Sequence, residues 1–125
     1  MITLTEAKSI HEILIGTFGG AVGIRDHKAL EAALNRPYAT FDKRDLYLTS
    51  IDKAAAILES IVCNHPFIDG NKRAGYVFMR LILMEDNQRI KATEEDTFQF
   101  AINVAKGALN IDQINDWISK WVEPI

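Results

Sequence analysis

The chain has 125 residues, a length that suits one domain, and we expect residues 1–125 to form a single folding unit. Its content of 48% hydrophobic and 25% charged residues is that of an ordinary globular protein. The formal net charge of −3 lacks the basic excess of most nucleic-acid-binding domains, so we expect no direct binding to nucleic acid. A local basic patch from Lys43-Arg44 and Lys72-Arg73 is compatible with this charge.

Three features of the sequence concern its location. Residues 1–6 do not combine a basic segment with an apolar one, as a signal peptide does. The apolar run 74–84 contains Arg80 and is far shorter than a membrane span. Cys63 is the only cysteine, which excludes a disulfide within the chain and favours a reducing compartment. We therefore expect a cytoplasmic protein without membrane contact.

The first half of the chain predicts two helices followed by a short hairpin. The capping box Thr3–Glu6 opens the first helix, whose apolar face runs from Ala7 to Phe18 before Gly19-Gly20 ends it. Asp26 caps a second helix, which stops before Pro37. Residues 37–48 favour extended structure with a polar tip, and we interpret them as a flap.

The second half predicts four helices joined by short connections. The third helix contains the run Ala54–Leu58 and should be central. It should end near Asn64, because Pro66 disfavours helical geometry at the residue before it. The four helices are expected to begin at Thr49–Asp52, Asn71, Thr93–Asp96 and Ile111, and Pro124 is expected to end the last. The sum is an all-α fold, a compact helical domain of about six helices with one short flap.

Packing explains most of the other conspicuous side chains. His11 lies on the apolar face of the first helix and is predicted to be a hydrogen-bonded core residue, whereas His27 should be exposed to solvent. Trp117 and Trp121 are expected in the core. Arg25 and the capping residue Asp26 follow a turn, and an ion pair between them could brace a neighbouring loop.

The most informative segment is His65–Arg73, which places an imidazole, a carboxylate, an amide and two cations ahead of the fourth helix. A helix N-terminus attracts anions, because its first backbone amides lack partners and the helix dipole is positive there. His65 is the candidate general base and Asp69 the candidate Mg²⁺ ligand, while Lys72 and Arg73 are candidates to pair with phosphate.

The same segment contains residues that shape the loop. Phe67 should anchor it in the core, and Gly70 should allow close approach of the backbone to a ligand. A packing histidine and a capping aspartate are the alternative interpretations of His65 and Asp69. A loop built only for packing has no need of four such polar groups in succession, which favours a functional site.

Other common sites do not fit this sequence. The segment lacks the spacing of a Walker loop and does not follow a predicted strand. No second histidine or cysteine pair stands at zinc-ligand spacing, and the G-x-S-x-G motif of many serine hydrolases is missing.

The sequence H-P-F-I-D-G-N-K-R at residues 65–73 resembles the signature of the Fic/Doc family, H-P-F-x-[DE]-G-N-[GK]-R. Further segments are similar to its death-on-curing (Doc) branch: Phe18–Gly20, Gly23–Asp26, Leu30–Pro37 and Lys53–Ala56. The resemblance implies a helical fold with the motif loop between two central helices and a flap, Pro37–Leu48, that docks a target segment.

The resemblance also implies roles for individual residues, with ATP and Mg²⁺ as cofactors. His65 would take the proton from a hydroxyl of a target protein, Asp69 would hold Mg²⁺, and Lys72 and Arg73 would neutralise phosphate charge. The residues implied around the nucleotide are Phe67, Gly70, Asn71, Lys72 and Arg73.

Two positions distinguish between reactions within the family. Members that transfer AMP usually have glycine before the arginine and a second arginine three residues after it, where this chain has Lys72 and Tyr76. Both differences are shared with the Doc branch, which resembles a kinase that transfers the γ-phosphate of ATP to a threonine of elongation factor Tu and halts translation. This transfer is our prediction. AMP transfer, a non-catalytic nucleotide- or anion-binding module, and a nucleic-acid-binding regulator are the alternatives.

The resemblance further implies an inhibitory partner. Doc-like toxins are held inactive by an antitoxin that inserts a segment over the active site, whereas other members carry an internal [ST]-x-x-x-E-[GN] helix. The nearest match here is Ser119-x-x-x-Glu123, which is followed by Pro124 instead of glycine or asparagine. We therefore expect a separate antitoxin protein.

Overall fold

The computed structural model describes residues 1–125 as six helices and two short antiparallel ribbons, which confirms the predicted all-α fold. The helices are α1 (Leu4–Phe18), α2 (His27–Asn35), α3 (Ser50–Asn64), α4 (Asn71–Glu85), α5 (Glu94–Ala105) and α6 (Ile111–Trp121). The strands are β1 (Thr40–Phe41), β2 (Arg44–Asp45), β3 (Gln88–Ile90) and β4 (Val122–Pro124), and a 3₁₀ turn covers Arg36–Tyr38. None of the helices has both the length and the apolar character that crossing a membrane requires.

Four of the helices begin where the sequence predicts a capping residue. The side chains of Thr3, Asp26, Thr49 and Thr93 each accept a hydrogen bond from a backbone amide three residues later, and Asn110 does the same at α6. Such bonds satisfy amides that the first helical turn leaves without partners.

The centre of the fold is α3, which α4 packs along. Eight residues of α3 are buried, including the run Ala54–Leu58, as the sequence predicted. The helices α2, α5 and α6 contact α3, and α1 contacts α4. The loop that joins α3 to α4 therefore leaves from the two most central helices, which hold its ends in place.

A second ribbon is the feature that the sequence did not predict. The strand β3 pairs with β4 in the register Gln88↔Pro124, Arg89↔Glu123 and Ile90↔Val122. Consequently α6 already ends at Trp121, and the expectation that Pro124 ends the helix was wrong. An ion pair of 2.9 Å joins Arg89 Nε to Glu123 Oε1 across the ribbon.

The predicted flap is a hairpin in which β1 pairs with β2, and its tip is Asp42-Lys43. The hydroxyl of Tyr47 accepts a 2.9 Å hydrogen bond from Arg36 Nε, which ties the base of the flap to the helical body. Three apolar side chains of this segment are more than half exposed, Phe41 at 78%, Leu48 at 77% and Leu46 at 58%.

Candidate active site

His65 ends α3 in the left-handed conformation, with φ 48° and ψ 58°. Its backbone amide donates to Ile61 O at 3.2 Å, and the chain turns away from the helix axis toward Pro66. Histidine is among the non-glycine residues that adopt this conformation more readily. The side chain is exposed, so the imidazole lies at the surface as the prediction of a general base requires.

The loop that follows His65 is joined to residues 23–26 by backbone hydrogen bonds. The amides of Arg25 and Asp26 both donate to Pro66 O, at 2.8 and 3.0 Å, and the amide of Ile68 donates to Gly23 O at 3.0 Å. These bonds fix the course of the motif loop against the segment between α1 and α2.

The side chain of Arg25 strengthens this connection. Its Nε donates to His65 O and its Nη2 to Asn64 O, both at 2.6 Å, so one guanidinium satisfies two of the last carbonyls of α3. Asp26 instead caps α2 through Ala29 N. Arg25 thus braces the loop as expected, but through carbonyl groups and without the ion pair to Asp26.

Phe67 is the apolar anchor that the sequence predicted, with only 1% of its surface exposed. Its ring stacks on His11 with 3.9 Å between ring centroids and also contacts Phe78. Because this side chain points into the core, any contribution of Phe67 to nucleotide binding comes through the loop that it holds.

His11 confirms the prediction of a hydrogen-bonded core histidine. It is 2% exposed, and its Nε2 donates to the carbonyl of Asp69 at 2.8 Å. This bond and the stacking on Phe67 connect α1 to both halves of the motif loop.

Asn71 uses its side chain to close the loop. Its Oδ1 accepts from Phe67 N and its Nδ2 donates to Phe67 O, both at 3.0 Å, and the residue is 9% exposed. Both polar atoms of the carboxamide are therefore bonded to the backbone of Phe67. What Asn71 can offer to a ligand is its backbone amide in the first turn of α4.

Replacing Asn71 with alanine should destabilise the protein by about 2 kcal/mol, because a buried amide and a buried carbonyl of Phe67 lose their partners. Urea unfolding followed by circular dichroism measures this change. Asn71→Asp keeps the acceptor for Phe67 N but replaces the donor to Phe67 O with a second acceptor, so it should also destabilise the protein. Equal stabilities of Asn71→Ala and the unmodified protein would contradict this role.

The carboxylate of Asp69 is exposed and accepts two backbone hydrogen bonds, from Ala21 N at 3.1 Å and from Gly70 N at 2.8 Å. A Cβ atom at Gly20 would lie 2.7 Å from Asp69 Oδ2, so only glycine lets the segment after α1 approach this closely. Nothing in the sequence indicates this contact between Asp69 and the loop that follows α1.

The surroundings of Asp69 are compatible with Mg²⁺. No group of three or more acidic, histidine or cysteine side chains forms a ready metal site in the chain. Mg²⁺ often binds through one or two carboxylates together with phosphate oxygens and water, and each oxygen of a carboxylate can accept more than one bond. Asp69 therefore fits a metal that is held jointly with a phosphate ligand.

Gly70 has φ 73° and precedes α4 as its N-cap residue. A Cβ atom here would lie 3.2 Å from Ile15 Cδ1 and 3.7 Å from His11 Nε2, so the missing side chain faces α1. The glycine serves the turn and the close packing on α1, and the approach of a ligand to its backbone stays a prediction.

Lys72 and Arg73 lie in the first turn of α4, where no side chain caps the helix. Both are exposed and neither takes part in an ion pair within the chain. Two free cations thus coincide with the positive end of a helix dipole, an arrangement that favours binding of a phosphate group.

Arg73 has one neighbour that the sequence did not indicate. Its Cζ atom lies 3.9 Å from the ring centroid of Phe18, the last residue of α1. The sequence places Phe18 on the buried face of α1, but 58% of this residue is exposed. Helical spacing could not reveal the difference, since α1 ends at this position.

Cys63, two residues before His65, is a further nucleophile to consider. Cys63 is exposed, but desolvation and the charge of Glu59 raise the pKa of its thiol. This direction disfavours the thiolate that a nucleophilic cysteine needs.

Comparisons with known proteins identify the family of this chain. The model of the Fic/DOC family matches residues 1–83, which include α1 to α3, the motif loop and most of α4. A protein named Toxin Doc from Mycolicibacterium smegmatis is 48% identical over 59 residues, which are 47% of this chain and 45% of that protein. The match thus spans less than half of the relative's length. From the family match over more than half of its length, and from the motif loop that this match contains, the chain belongs to the Fic/DOC family.

Proposed function

We propose that this protein transfers the γ-phosphate of ATP to a hydroxyl group of a target protein, as the toxin of a toxin–antitoxin pair. The observation that carries the proposal is the coincidence of an exposed His65 with the two unpaired cations Lys72 and Arg73 at the start of α4. The similarity to Toxin Doc supports the toxin assignment.

The proposed reaction uses His65 as the general base. Its imidazole takes the proton from the target hydroxyl, and the oxygen then attacks the γ-phosphorus as the bond to the β,γ-bridging oxygen breaks and ADP leaves. Lys72, Arg73 and the first amides of α4 neutralise the charge on the phosphate oxygens. Asp69 would hold Mg²⁺, which when bound supplies further neutralisation of that charge.

Residues at two positions of α4 support the γ-phosphate as the transferred group. Lys72 stands where members that transfer AMP usually have glycine, and its ammonium group suits a terminal phosphate. Tyr76 stands where those members have a second arginine. It is half-buried, and Arg80 lies over its ring at 5.9 Å. A weaker grip on the rest of the triphosphate favours transfer of the γ-phosphate.

The flap is the proposed docking surface for the target, for which elongation factor Tu is our candidate. Its strands are only two residues long, and Phe41 and Leu48 are exposed beside them. An extended segment of the target can pair with such an edge through backbone hydrogen bonds. We also propose a separate antitoxin, because Glu123 of the only internal candidate motif is already paired with Arg89.

A labelled-nucleotide experiment tests the proposed function. The purified protein is incubated with a bacterial lysate and Mg²⁺, and with ATP labelled at either the α- or the γ-phosphate. We expect a labelled protein band with the γ label only, and mass spectrometry of that band then identifies the target and the modified residue.

Three outcomes would contradict the proposal. Label from the α-phosphate would show AMP transfer, and nucleotide binding without any transferred label would show a non-catalytic binding module. Binding of the free protein to DNA that weakens steeply with salt, together with no transferred label, would indicate a nucleic-acid-binding regulator.

A further inference from the structure

We propose that Phe18 is a positioning residue of this site, which holds the guanidinium of Arg73 in the orientation that binds a phosphate. The inference rests on the proposed function, since it concerns the same anion site. Its direct evidence is that Arg73 Cζ lies 3.9 Å from the ring centroid of Phe18. Phe18 is 58% exposed, so this contact lies at the surface.

The chemistry of this contact leaves Arg73 free to bind. An aromatic ring attracts a cation to its face, because the π-electrons make that face negative. A guanidinium that lies against the ring keeps its N–H groups available around its edge, and these groups form paired hydrogen bonds with phosphate oxygens. Stacking on Phe18 therefore orients Arg73 without competing for its donors.

The position of Phe18 at the end of α1 connects it directly to a segment that is hydrogen-bonded to the motif loop. The next residues, Gly19-Gly20, bring the chain against Asp69, and Ala21 N donates to the Asp69 carboxylate. One short segment, residues 18–21, thus contacts both the proposed Mg²⁺ ligand and the proposed phosphate-binding arginine. Holding a long side chain in place before the ligand arrives reduces the entropy that binding would cost.

Binding of inorganic tripolyphosphate, measured by calorimetry, tests the inference without requiring catalysis. Phe18→Leu should weaken binding about 2- to 5-fold, the range expected when an exposed cation–π contact is lost. Phe18→Tyr keeps the ring and should bind like the unmodified protein. In an Arg73→Gln background, Phe18→Leu should cause no further weakening, because Phe18 acts through Arg73.

The matched control is Phe98→Leu, which removes another exposed aromatic ring, 64% accessible on α5, and should leave binding unchanged. The inference is overturned if the unmodified protein does not bind tripolyphosphate. It is also overturned if Phe18→Leu binds tripolyphosphate with the affinity of the unmodified protein. The same holds if Phe18→Leu weakens tripolyphosphate binding by the same factor in the unmodified protein and in the Arg73→Gln variant. If the coupling is found but ATP label is not transferred, only the proposed function fails.

Discussion

Replacing His65 with asparagine is expected to lower the rate of phosphoryl transfer about 10²- to 10⁴-fold, the range that a lost general base produces. The imidazole is exposed, so its removal leaves the core intact. Asparagine is preferable to alanine, because the backbone at His65 is left-handed and asparagine tolerates that conformation better. Nucleotide binding should change little, since the cations of α4 remain.

The measurement is the initial rate of γ-label transfer to the target, together with thermal unfolding of each variant. His27→Asn provides the control, because His27 is an exposed histidine on α2 outside the motif loop. Transfer by His65→Asn at the rate of the unmodified protein would show that another group takes the proton.

Phe67→Ala is expected to destabilise the protein by about 3–5 kcal/mol, as the loss of a buried aromatic ring usually does. The ring is 1% exposed and lies between His11 and Phe78, so its removal leaves a cavity beneath the motif loop. Since domains of this size unfold at a total cost of about 5–15 kcal/mol, much of the stability would be lost.

Urea unfolding at neutral pH measures this loss. Phe67→Leu fills part of the cavity and should lose less, while Phe98→Ala, at an exposed ring, should stay within about 0.5 kcal/mol of the unmodified protein. A change below about 1 kcal/mol in Phe67→Ala would show that the motif loop does not depend on this anchor.

The sequence predicted the elements that depend on neighbouring residues. A capping side chain bonds an amide three residues away, so Thr3, Asp26 and Thr49 mark helix starts without any knowledge of the fold. The flap could also be predicted from the sequence, because β1 and β2 are joined directly through Asp42-Lys43.

Features that depend on contacts between distant residues could not be predicted from the sequence. The strands β3 and β4 have short and unremarkable sequences, and they become a ribbon only because the folded helices bring Gln88–Ile90 and Val122–Pro124 together. For the same reason the partner of Arg25 could not be found from the sequence. It bonds carbonyl groups about forty residues away, which carry no side-chain signal.

In the candidate site too, features set by neighbouring residues could be predicted and features set by distant residues could not. The residue types of the motif indicated anion chemistry and a general base, and the structure confirms that Phe67 anchors the loop. The contacts of Asp69 with Ala21 and of Arg73 with Phe18 come from the end of α1, whose approach is set by the packing of whole helices. The contributions of His65, Asp69, Lys72 and Arg73 to catalysis remain predictions.

The backbone bonds between residues 23–26 and the motif loop also have a consequence for local fluctuations. Because Pro66 O and Ile68 N are bonded to that segment, opening the loop breaks three backbone hydrogen bonds with the connection between α1 and α2. We therefore expect the two segments to open together as one unit of local unfolding. Slow hydrogen exchange at the amides of Arg25 and Asp26 would then report on the integrity of the site in the free protein.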